Sequence, residues 1–211
     1  MKRRKLLQLA MASIPGSYLA ACGASSNTGL SDTALSDILA GDNDGQPLLV
    51  LPSEGEMTTG EMLIKVPSSS MAGHFSIMHG ELDGLQLLPP HTHEFEDQAV
   101  YVLEGELAFE FAGNGEVIVA PAGSYVIKPR NVQHAFWNPG SEKVRYVEFS
   151  TESGFEGYVR DVEGADSVPQ LELDYGVIHN MFYAGELVKT HGLTSIHRLP
   201  QADFDLIMGM I

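Results

Sequence analysis

His91 and His93 stand one residue apart in the stretch Pro89-Pro90-His91-Thr92-His93. Alternate residues of an extended chain point to the same side, so both imidazoles can converge on one point. A third histidine, His134, lies downstream in a matching frame, four residues after Arg130. Neutral imidazoles suit Fe(II), Mn(II), Ni(II), Co(II), Cu(II) or Zn(II), whereas calcium and magnesium ask for oxygen ligands. The expected cofactor is therefore one divalent transition metal, and the expected chemistry is that of a metal site. His74, His79, His179, His191 and His197 fall in no such frame and read as surface or packing residues.

Strands must position such a site. From Pro47 onward, short apolar runs alternate with turn residues every eight to twelve positions. Strands are predicted over 48–51, 62–66, 74–79, 84–88, 100–103, 107–111, 117–119, 124–127, 133–137 and 144–149. Ala112-Gly113-Asn114-Gly115 is a hairpin turn, because Asn and Gly accept positive φ. No helix-period stretch interrupts residues 47–149, which argues for an all-β barrel or sandwich. Past Phe149 the texture changes. Residues 154–160 and 168–188 carry helical spacing, with Leu171, Tyr175, Ile178 and Phe182 roughly on one face, although Gly176 and Gly185 weaken one continuous helix.

The chain has 211 residues and a formal net charge of -16. Lys2, Arg3, Arg4 and Lys5 are four of its 12 basic residues, and none of its 28 acidic residues precedes Asp32. A body that acidic repels phosphate backbones, so no nucleic-acid partner is expected. There is no glycine-rich phosphate loop, no GxSxG elbow and no CxxC pair, which leaves nucleotide-dependent and serine-hydrolase readings without support.

The first residues read as an address. A basic start, a modestly apolar stretch and then small residues make the layout of a secretory signal over 1–21. Leu19-Ala20-Ala21-Cys22 resembles the lipobox of bacterial lipoproteins, in which the cysteine is acylated. Cys22 is the only cysteine, so no internal disulfide can form. Residues 22–46 read as a flexible tether with a short helix. The expected localisation is an exported, membrane-anchored lipoprotein, periplasmic or cell-surface, that touches the membrane only through its lipid.

Two spaced segments resemble the cupin superfamily, small jelly-roll β-barrels that commonly hold one metal ion. The first family motif has the form G-x5-H-x-H-x3,4-E-x6-G. Here His91 and His93 are followed by four residues, Gln98, six residues and Gly105, while Gly84 sits one residue further upstream than the pattern asks. The second has the form G-x5-P-x-G-x2-H-x3-N, met by Gly123, Pro129, His134 and Asn138. Asn131 stands where glycine is usual, and Asn is the next best residue for a left-handed turn. The resemblance implies a single cupin barrel over 47–150 and a short C-terminal helical extension over 151–211. It also implies a metal held by His91, His93, His134 and the residue at position 98.

Gln98 replaces the glutamate that supplies the family's only anionic ligand. Three outcomes follow: Gln98 ligates through its amide oxygen, the site is a three-histidine site with open water positions, or Glu96 or Glu94 swings in. Strand alternation from His134 sends Phe136 and Asn138 inward and Ala135 and Trp137 outward, and places Val100 and Val102 on the side of Gln98. Val100, Val102, Phe136 and Asn138 are thus the candidate walls of a pocket for a small organic molecule. The C-terminal helices, with Leu187 to Leu193 as their ending, look like those of quercetin-dioxygenase-like cupins. The resemblance implies an oxygenase acting on a small phenolic or enolic substrate. The alternatives are a non-catalytic cupin that binds a small molecule through its metal, and a metal-dependent isomerase or lyase. It also allows a homodimer through barrel edges.

Overall fold

The computed structural model describes residues 49–210 apart from 59, 153, 163, 164 and 166. The signal, Cys22 and the tether lie outside the described residues. Among the described residues twelve strands occur in chain order: β1 (Glu56–Met57), β2 (Leu63–Val66), β3 (Phe75–Leu82), β4 (Gln86–His93), β5 (Gln98–Glu104), β6 (Glu106–Phe111), β7 (Val117–Pro121), β8 (Tyr125–Lys128), β9 (His134–Trp137), β10 (Val144–Thr151), β11 (Val177–His179) and β12 (Ser195–Ile196). One sheet runs β1-β2-β3-β10-β5-β8 and the other β11-β4-β9-β6-β7, with β12 parallel to β4. The two sheets form a jelly-roll barrel.

Alternation explains how they close. In β5, Gln98, Val100 and Val102 are buried while Ala99, Tyr101 and Leu103 are only partly so. Val100, Val102, Leu107, Phe109, Phe136 and Tyr146 fill the space between the sheets. Ala135 and Trp137 face the other way, into a second cluster.

That cluster is roofed by the C-terminal extension. Its helices are α1 (Gly154–Asp161), α2 (Val168–Tyr175), α3 (Met181–His191) and α4 (Gln201–Met210). Ala184, Leu187 and Val188 of α3 pack on Leu87, Ala135 and Trp137, and the His191 ring stacks on Trp137 at 4.4 Å.

Two expectations are corrected. Residues 49–51 are irregular and the first strand begins at Glu56. The Lys65 ammonium binds the carbonyls of Leu51, Pro52 and Glu54, which draws that segment into a loop. The helical spacing over 168–188 is interrupted as well. Gly176 closes α2 in the left-handed conformation (φ 65°), Val177–His179 becomes a strand, and Asn180 caps α3. Tertiary context overrides the helical period because Val177, fully buried, joins the barrel core. Phe182, placed on the helix face by that period, is 92% exposed.

Candidate metal centre

β4 carries two of the three imidazoles, and its geometry depends on its prolines. Leu88 pairs with Phe136, but His91 pairs with His134, so β4 holds one more residue than β9 over this span. Pro89 and Pro90 occupy the bulge, where missing N–H groups cost no ladder hydrogen bond. The bulge lets Leu88 and His91 both face the interior cavity, and it accounts for the one-residue excess between Gly84 and His91. The turn before β9 uses Asn131 at φ 62°, the left-handed conformation the motif requires.

His91, His93 and His134 are 1–2% exposed, and each offers a ring nitrogen within 4.8 Å of the others. His91 Nδ1 donates to the Pro89 carbonyl at 2.8 Å and His134 Nδ1 to the Val132 carbonyl at 3.0 Å. Those bonds set the tautomer, leaving the Nε2 lone pairs free. Burial lowers the proton affinity of all three imidazoles, His134 to about 3, and the Lys128 ammonium adds to the effect on each. Neutral rings with free lone pairs are what a transition metal requires. His93 Nε2 and His134 Nε2 are buried without a protein partner, so the triad fits a metal ion.

Gln98 is buried on the facing sheet, as the pairing partner of Lys128. Its Nε2 lies 3.4 Å from Ser150 Oγ, while its Oε1 accepts nothing among the described residues. The free amide oxygen is available to a cation. Glu96 takes another part. Its Oε1 accepts the Phe155 N–H at 2.9 Å, at the start of α1, and its Oε2 lies 3.5 Å from His93 Nδ1. Glu96 thus stands behind His93, on the side away from the free Nε2, and burial pushes its carboxyl up to about 7. A β-carbon at Gly154 would run into Glu96 Oε1, so the glycine makes room for it. Glu94 is exposed. Neither glutamate belongs to the three-histidine cluster.

A cavity of about 360 Å³ opens beside His91. Leu88, Phe136, Phe155 and Met181 give it apolar walls, and Lys128, Glu148, Glu172 and His179 give it polar ones. Phe136 lines it as expected. Val100 and Val102 point inward but are sealed in the core, and the cavity walls exclude them. Asn138 is also displaced from the pocket. Its Nδ2 lies 3.2, 3.1 and 2.6 Å from the carbonyls of Leu82, Asp83 and Glu142, and its Oδ1 accepts the Gly140 N–H. It clamps the loop between β9 and β10.

Three wall residues escape sequence reasoning. His179 sits opposite His91 in the β11–β4 pairing, with ring centroids 5.4 Å apart, and its Nδ1 lies 2.7 Å from Glu172 Oε1. Lys128 and Glu148 form a buried ion pair at 2.8 Å. Inward parity with Gln98 and Ser150 would have flagged Glu148, but no motif marks it or Lys128.

Residues 75–150 match the protein family described as Cupin domain. Among solved structures, KdgF from Halomonas sp. is 20% identical, with 52% of this chain and 91% of that one covered and a TM-score of 0.38. A predicted oxalate decarboxylase from Thermotoga maritima is 23% identical over 44% and 79%, with a TM-score of 0.39. An uncharacterized conserved protein with a double-stranded β-helix domain from Klebsiella pneumoniae is 22% identical over 49% and 83%, also at 0.39. No curated protein matches the sequence.

Proposed function

We propose that this chain, whose residues 75–150 match the cupin domain, is a metal-dependent oxygenase resembling quercetin 2,3-dioxygenase and acting on a small phenolic or enolic substrate. The observation that carries the reading is the triad itself: three buried neutral imidazoles, of which His91 lines a largely apolar cavity. His91, His93 and His134 would hold the ion, with Gln98 Oε1 as a neutral fourth donor. A divalent transition metal there would supply Lewis acidity to a bound oxygen and, if redox-active, a site for dioxygen. Neutral donors leave the full charge of the ion uncompensated, which favours a substrate that brings its own anionic oxygen. Leu88 and Phe136 would hold its apolar body and exclude water. Gln98 cannot take the proton of the substrate hydroxyl; His179, backed by Glu172, can accept it at Nε2.

Oxygen uptake on protein of assayed metal content, with a panel of flavonols and catechols, tests this. Uptake abolished in His91→Ala supports the oxygenase, and no uptake with any of the candidate metals rejects it. The His179–Glu172 pair also favours a second reading, a metal-dependent isomerase or lyase, which would turn over without dioxygen. Tight ligand retention with no turnover in air or under argon would leave the non-catalytic binder.

The address belongs to the same proposal. On the sequence of residues 1–22, the chain is exported and anchored through a lipid on Cys22. Among the described residues no helix is long and apolar enough to cross a membrane. Labelled palmitate incorporated into the wild type and absent from Cys22→Ser is the expected result.

A further inference from the structure

Lys128 and Glu148 are each 2% exposed, and their ion pair lies within the barrel. Removing two charges from water costs more than a packed apolar pair would, so fold stability gives little reason for them. Lys128 is the Cα partner of Gln98 across β8 and β5, and Glu148 stands two residues from Ser150, the partner of Gln98 on β10. Both therefore belong to the sheet that faces the imidazoles, and both line the cavity with His91.

An ammonium has three N–H donors. Glu148 Oε1 lies 2.8 Å from Nζ as its counter-charge, and the Phe136 ring centroid lies 5.3 Å from Nζ. No other acceptor among the described residues binds it. A divalent ion on neutral ligands and an ammonium on one cavity repel each other unless an anion lies between them.

We infer that Lys128, steadied by Glu148, is a carboxylate subsite, and that the ligand of this cavity is a small hydroxy-aryl or enol acid. Its hydroxyl oxygen faces the triad, its carboxylate meets Lys128 Nζ, and its apolar body lies against Leu88 and Phe136. A volume of about 360 Å³ is at the small end for ligand pockets and suits a one-ring acid. The inference rests on the triad being a metal site and sharpens the substrate class for it.

The test is calorimetric titration of zinc-loaded protein with salicylate and with its neutral analogue salicylamide. The wild type is expected to prefer salicylate by about tenfold or more, the worth of one charge-assisted hydrogen bond. The double variant Lys128→Met/Glu148→Leu removes both charges together and is expected to keep its zinc while binding the two alike, within about threefold. If that variant does not fold, Lys128→Gln/Glu148→Gln makes the same comparison. A wild type without preference, or a preference that survives both double variants, overturns the subsite. His91→Ala separates the two readings. A salicylate preference retained there with zinc lost keeps the subsite and rejects the metal's part in binding; loss of both ligands supports the two together.

Discussion

His179 stands directly opposite His91 in the pairing of β11 with β4, and the two rings lie 5.4 Å apart. Glu172 binds His179 Nδ1 at 2.7 Å, so the ring presents Nε2 to the cavity. A group so placed is close enough to exchange a proton with a ligand on the triad. His179→Gln is expected to keep the wild-type metal stoichiometry and to lower kcat by about 100-fold or more. Glu172→Gln should give a smaller loss and a shifted pH profile. Equal loss of bound metal and of turnover in His179→Gln would instead make it a ligand.

Glu96 bears on metal affinity from behind His93. At 3.5 Å the contact is too long for a formed hydrogen bond, and the Phe155 N–H, bound to Glu96 Oε1, fixes the carboxyl beside the ring at the start of α1. Glu96→Gln is expected to weaken metal binding by about 10–100-fold in competition with a chelator of known affinity. Glu94→Gln, altering an exposed side chain, should leave it unchanged.

Asn138 predicts a stability loss with no change at the site. Replacement by alanine strips the carbonyls of Leu82, Asp83 and Glu142 of their shared donor. The expected cost is about 2 kcal/mol in urea unfolding, with metal stoichiometry and ligand affinity unchanged. Weakened ligand binding at unaltered stability would put Asn138 back in the pocket.

The buried imidazoles set a pH dependence for the metal-free chain. His91, His93 and His134 are held below their ordinary value of 6.5, His134 at about 3. Between those limits the unfolded chain binds the extra protons. Their contribution is therefore complete above pH 6.5 and is lost as pH falls toward 3, at up to about 1.4 kcal/mol per pH unit for each group. His79 and His197, also held low by burial, act with the same sign. Glu96, raised to about 7 by burial, acts oppositely, since the folded state keeps its proton and its contribution is lost as pH rises. Five histidines outweigh that one carboxyl, so stability should climb from pH 4.5 to 6.5 in denaturant titrations. A flat or falling profile in that window would contradict the burial of the triad.

Much of this was legible in the residue order, because strand alternation and turn chemistry are local. His91-Thr92-His93 puts two rings on one side of any extended chain, and the frame from Pro129 to Asn138 marks the turn that Asn131 makes at φ 62°. The apolar alternation of residues 98–104 likewise announces a strand with one buried side. Local rules could not say what those sides meet. Val100 and Val102 face inward yet are sealed in the core, while Lys128 and Glu148 face inward and meet the cavity. Asn138 faces inward and spends its amide on loop carbonyls. His179 reaches His91 only because Gly176 ends a helix and three residues pair with β4. The residue order alone determined an all-β barrel or sandwich with a histidine triad, and the resemblance of its two motifs implied the jelly roll. The tertiary structure decided which charges share its cavity, because inter-sheet distance, the bulge at Pro89-Pro90 and the docking of the C-terminal segment depend on contacts between residues far apart in the chain.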